Sequence, residues 1–148
     1  MSRLTPITKR DQVTGDALKA FDAIIESRNS INGPHSMMMY APEVARCSTA
    51  LSDSLRFGGN LSDHDTELAI ITAARHWDCG YVWASHSAAA LKAGARPEAV
   101  EIIANGHGID GLTKEEAIIV RYGRELMDNH QLSQGTFDAA LEKFGEAN

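Results

Sequence analysis

The chain has 148 residues, 43% of them hydrophobic and 23% charged, with a formal net charge of −6 at pH 7. That charge argues against binding a phosphate backbone as the main activity, because Lys and Arg are scattered singly and form no basic patch. No run approaches the ~20 apolar residues of a membrane span, the N-terminal stretch has no signal-peptide apolar core, and Cys47 and Cys79 make no disulfide framework.

These features imply one globular domain, large enough to bury about 70% of its unfolded surface. Free thiols suit a reducing, cytoplasmic setting, with neither nucleic acid nor membrane as partner. Residues 1–10 are polar and contain Pro6, so a flexible N-terminal segment is expected there, followed by a helical domain over 11–148. Thr8-x-x-Asp11 resembles a capping box, and Val13, Ala17, Phe21 and Ile24 repeat with helical period, predicting a first helix from about residue 10 to 28. Asn29 to Pro34 is a breaker cluster.

His35 to Tyr40 is a short apolar patch whose three methionines read as core filler, Met being suited to irregular gaps. His35, after a Gly-Pro turn, has two readings, exposed to solvent or lining the mouth of a pocket. Pro42 opens a second helix with Val44, Cys47, Leu51 and Leu55 as its buried face, ended by Phe57-Gly58-Gly59-Asn60. Ser62-x-x-Asp65 caps a third, with Leu68, Ile71 and Ala74 as core. Taken alone, Glu67 reads as a solvated carboxylate near the start of that helix, since Glu is seldom buried unpaired.

Asp78 can cap a fourth helix that begins at Cys79, runs to Lys92 or Ala93, and stops at Gly94. Seven residues separate Cys79 from His86, two helical turns, so both fall on one face with Val82 between them. A thiol in the first turn lies in the positive end of the helix dipole. The plainer reading of such a pair is a small buried hydrophobe and a core histidine.

Arg96-Pro97-Glu98 starts a fifth helix, with Val100, Ile103 and Ala104 inward, ending at Asn105-Gly106. The glycine-rich stretch Gly106 to Leu112 lacks the strand that a nucleotide-binding loop requires. Thr113-x-x-Glu116 is a further capping box, opening a helix with Ile118, Ile119, Tyr122 and Leu126. A last helix from Ser133 carries Phe137, Ala140, Leu141 and Phe144. No segment alternates with period two, so the expected fold is all-α, a single-domain bundle of six to eight helices.

Glu67, Cys79 and His86 match the spacing Glu-x11-Cys-x2-Cys-x3-His, and Glu67-Leu68-Ala69-Ile70, Trp83-x-x-His86 and Ala93-Gly94 extend the match. In this the chain resembles the carboxymuconolactone decarboxylase and alkylhydroperoxidase (AhpD-like) family, with Val82 standing where that family has its second cysteine. The resemblance implies an AhpD-like helical bundle, no cofactor, and a homo-oligomer, trimer or hexamer, with its pocket near a subunit contact. It implies that Glu67, Cys79 and His86 are catalytic, and that His35 and Trp83 line the substrate pocket. Gly33-Pro34 and Pro42 look like the family's pocket wall. Members of the family often continue into one more apolar helix beyond the position of Asn148. If such a helix is missing here, a partner subunit is expected to cover the apolar surface left bare.

Three functions follow from the resemblance. One is acid–base chemistry on a small carboxylate or lactone, with His86 moving the proton, Glu67 supporting it and Cys79 as pocket wall. Another is thiol peroxidase chemistry, in which Val82 cannot supply the second sulfur and Cys47 or an external thiol would have to rescue an oxidised Cys79. The third is a non-catalytic oligomer that binds a small molecule. Glu67, Cys79 and His86 have side chains that suit zinc, but their spacing matches no standard zinc motif.

Overall fold

The structure, a computed structural model, describes residues 3–106 and 108–148. Among the described residues the chain forms eight α-helices and one 3-10 turn and no strand, so the fold is all-α as expected. No helix among them is long and apolar enough to cross a membrane. The chain divides into two compact units, residues 1–58 and 59–148.

The first unit holds the 3-10 turn Arg10–Gln12 and the helices α1 (Asp16–Arg28), α2 (Gly33–Met38) and α3 (Pro42–Phe57). The single first helix expected from residue 10 is thus broken. The Gln12 side chain accepts from the Thr8 and Lys9 backbone N–H groups at 2.9 and 2.8 Å, closing the turn on itself. Gly15, at φ 58°, then redirects the chain into α1. The segment expected to be flexible is tied back at two points: Ile7 N–H donates to the Ser36 carbonyl at 3.0 Å and the Tyr40 hydroxyl to the Thr5 carbonyl at 2.8 Å.

Phe21, Ile24, Ile31, Met39 and Ala45 form the core of this unit, with α1 and α2 both packed on α3. The patch around the methionines is helical, because Pro34 sits in the first turn of α2, where its missing N–H costs nothing. The apolar stripe on α3 is not the buried face. Val44, Leu51 and Leu55 are 58%, 62% and 67% exposed and Cys47 is exposed, while Ala45 and Thr49 face the core. Small residues let α1 approach closely there, so the large apolar side chains point outward.

The second unit holds α4 (Asp63–His76), α5 (Gly80–Lys92), α6 (Pro97–Asn105), α7 (Lys114–Asn129) and α8 (Gln134–Phe144). Its buried centre is Leu68, Ile71, Ala90, Ile103 and Val120. α4 packs against α5, α6 and α7, and α7 against α8. Ser62, Thr113 and Ser133 cap α4, α7 and α8 through their side-chain oxygens, and Thr113 with Glu116 completes the capping box read from the sequence. Glu116 is also held by Arg96 at 2.6 and 3.1 Å, which pins α6 to α7. At Gly123 a Cβ would lie 3.0 Å from Thr72 Cγ2, so glycine permits the close crossing of α4 and α7. His107 lies outside the described residues, so the glycine-rich stretch is described only at Gly106 and from Gly108 onward.

Candidate functional site

The joint between α4 and α5 sets the site. Asp78 adopts φ 48°, the left-handed conformation usual for glycine after a helix end. Its N–H donates to the Arg75 carbonyl at 3.2 Å, and the Cys79 N–H donates to the Ala74 carbonyl at 2.8 Å. This is a Schellman closure with aspartate in the glycine place, which a short polar side chain tolerates. Asp78 therefore ends α4 and does not cap α5. Its side chain is 97% exposed, and the N-cap is Cys79. The helix expected to begin at Cys79 begins at Gly80.

So tight a reversal brings α5 back along α4 and sets His86 beside Glu67. The His86 Nδ1 to Glu67 Oε2 distance is 2.7 Å. Glu67 lies beyond the first turn of α4 and is only 6% exposed, which overturns its reading as a solvated carboxylate. The His86 side chain keeps 21% exposure. With Glu67 ionised, Nδ1 carries the proton and donates it to the carboxylate, leaving the Nε2 lone pair as the ring's free base. Nε2 has no hydrogen-bond partner among the described residues. Such an imidazole, held at one nitrogen and open at the other, is built to take up and return a proton.

The other residues stand differently. Cys79 is exposed, and its thiol makes no hydrogen bond to Glu67 or His86. Its carbonyl accepts from the Trp83 N–H at 2.9 Å, so its backbone starts the helix that carries His86. Trp83 is half-buried and packs on the Leu68–Val120 core, one turn before His86. His35 belongs to the first unit, where it is half-buried. Burial, and after it the Arg28 charge, hold its imidazole below the usual histidine range, against an opposing pull from Asp53. Among the described residues no three His, Cys, Asp or Glu side chains converge as a metal site needs, so Glu67, Cys79 and His86 do not form the zinc set that their types allow.

Sequence reasoning missed a cavity of about 600 Å³ between α4, α7 and α8, whose walls include Leu126, Phe137 and Phe144. Their helical spacing is legible in the sequence, but spacing alone does not show that the faces they form enclose a cavity. None of Glu67, Cys79 and His86 lines it.

A family model, described as the carboxymuconolactone decarboxylase family, matches residues 42–119, just over half of the chain. The matched span takes in Glu67, Cys79, Trp83 and His86 and leaves out His35. No curated protein and no solved structure matches the chain.

Proposed function

The chain belongs to the carboxymuconolactone decarboxylase family, and on that premise we propose that it performs acid–base chemistry on a small carboxylate or carboxylated lactone, with His86 as the proton-transfer group. The observation that carries this reading is the 2.7 Å hydrogen bond between His86 Nδ1 and Glu67 Oε2. Glu67 acts as a positioning residue: it holds the ring orientation and the proton on Nδ1, so that Nε2 faces the reacting group.

In the decarboxylation, the bond between the carboxylate carbon and the ring carbon breaks. CO2 leaves, and the electron pair stays on the substrate. Nε2, a free base at rest, first takes up a proton from solvent; the carbon left by CO2 then takes that proton from Nε2–H, and Nε2 returns to its free-base form for the next cycle. The Glu67 carboxylate balances the imidazolium charge while it lasts. Trp83, one turn before His86 on α5, serves as an apolar wall beside the substrate.

A second reading rests on Cys79, exposed at the start of the 13-residue helix α5. It is a thiol peroxidase in which a hydroperoxide oxidises the Cys79 sulfur to a sulfenic acid and is itself reduced to an alcohol. With valine at position 82, an external thiol completes that cycle.

We also infer a homo-oligomer, a trimer or hexamer. The exposed Val44, Leu51 and Leu55 on α3 support this, as do Tyr81 and Leu91 on α5. The experiment that decides between the chemistries offers the purified protein carboxylated lactones and hydroperoxides in parallel, while titrating the Cys79 thiol. Lactone turnover with the thiol intact supports the acid–base reading. Stoichiometric loss of the thiol with hydroperoxide turnover replaces it with the second.

A further inference from the structure

The cavity between α4, α7 and α8 has no part in the chemistry above. Its volume of about 600 Å³ is of the size that small ligands occupy, roughly 300–1,000 Å³. It is separate from the Glu67–His86 pair. Asp65, Ala69 and Ala73, which α4 contributes to its wall, stand two residues before and two and six residues after Glu67. At about 100° per residue those positions face roughly away from Glu67. One helix thus presents the proton-transfer pair on one side and a cavity on the other.

The wall has a definite charge character. None of the described residues that line it is Lys, Arg or His. Asp65 and Glu146 bring carboxylates to it, and Tyr122, Phe137 and Phe144 bring aromatic rings. His64 Nδ1 engages one oxygen of Asp65 at 2.9 Å and leaves the other unclaimed by that bond. Glu146 is exposed. Carboxylates and ring faces both attract a cation, whereas the remaining wall is apolar. An anionic acid of the kind suggested for His86 would meet two like charges and no counter-charge.

We propose that this cavity is a second ligand site, which binds an amphipathic organic cation of the alkylammonium class. The alkyl body lies against Leu126 and the two phenylalanines, and the ammonium end meets the rings and the Asp65 and Glu146 carboxylates. The ligand differs in charge from the substrate of the His86 site, so the two sites do not compete for one molecule.

The test is calorimetric titration of the full chain with octyltrimethylammonium below its micellar concentration, beside octanoate and octanol of matched length. The expected result is one ammonium per chain, bound about tenfold tighter than octanoate. Ala140→Trp, which fills the cavity, should abolish binding, and Glu146→Lys should weaken the ammonium by about threefold while narrowing its preference over octanoate. His86→Gln should bind as the parent does, which separates this site from the proposed chemistry. Octanoate binding as tightly as the ammonium would overturn the proposal. So would parental affinity in a helical Ala140→Trp protein, or in Glu146→Lys should the tryptophan variant fail to fold. If the cavity instead receives a second copy of the chain, the parent will bind no ammonium and Ala140→Trp will shift the sedimentation boundary, and the proposal falls.

Discussion

Glu67 and His86, nineteen residues apart in the chain, meet through a 2.7 Å hydrogen bond between α4 and α5. In the proposed chemistry the buried carboxylate holds the ring and the partly exposed imidazole reacts. His86→Gln is therefore expected to lower kcat for lactone turnover by about 10²–10⁴-fold. Glu67→Gln should cost less, since the ring stays in place and loses only its charge partner. Cys79→Ser should leave most of the activity. Steady-state kinetics on the three variants checks this, and loss of activity in Cys79→Ser with mere slowing in His86→Gln would transfer the assignment to the thiol.

Asp78 holds a left-handed backbone with its side chain in solvent. Asp78→Gly should keep or raise thermal stability. Asp78→Val, which places a branched side chain at that φ, should lose about 1–2 kcal/mol. Thermal unfolding followed by circular dichroism reads both. Equal stability of the valine variant would mean that the backbone there is not held as described.

The pairing of Glu116 with Arg96 gives stability a pH dependence. The Arg96 guanidinium, by hydrogen bond first, and then the Thr113 N–H hold the Glu116 carboxyl below its usual range, against the opposing effect of burial. Its folded value is therefore depressed, and the unfolded chain binds the proton more readily. The stabilisation is complete above the ordinary glutamate value of ~4.3 and is lost as pH falls through the lower folded value. Glu116→Gln should cost about 1–3 kcal/mol at pH 7, and the gap should close below about pH 4. Urea unfolding across that range measures it, and a gap that widens in acid would contradict the sign.

The outward stripe of α3 bears on assembly. Sedimentation at micromolar concentration should give species larger than the 16.0 kDa chain. Leu51→Asp, placed on a side chain that is 62% exposed, should break the assembly without unfolding the chain. A parent that sediments only as single chains would remove the oligomer from the account.

Much of the second unit was legible because its signals are local. Ser62, Thr113 and Ser133 act within three residues of themselves. Less local features were hidden. Asp78 has the composition of a cap, but hydrogen bonds reaching back to Ala74 and Arg75 turned it into a helix terminator. The stripe Val44–Leu55 was correct as a pattern and wrong as a burial, because periodicity states which face is apolar and not what covers it. Glu67 could be placed in the interior only by knowing its partner. His86 lies nineteen positions away, and the spacing of the family motif was what joined them.

The three-residue reversal at Trp77, Asp78 and Cys79 also carries a consequence for sequence drift. Adding or deleting one residue there would turn α5 by about 100° relative to α4, carrying His86 away from Glu67 while leaving the hydrophobic composition untouched. Descendants of this chain should therefore keep the count between Glu67 and His86 constant for as long as they keep the pair.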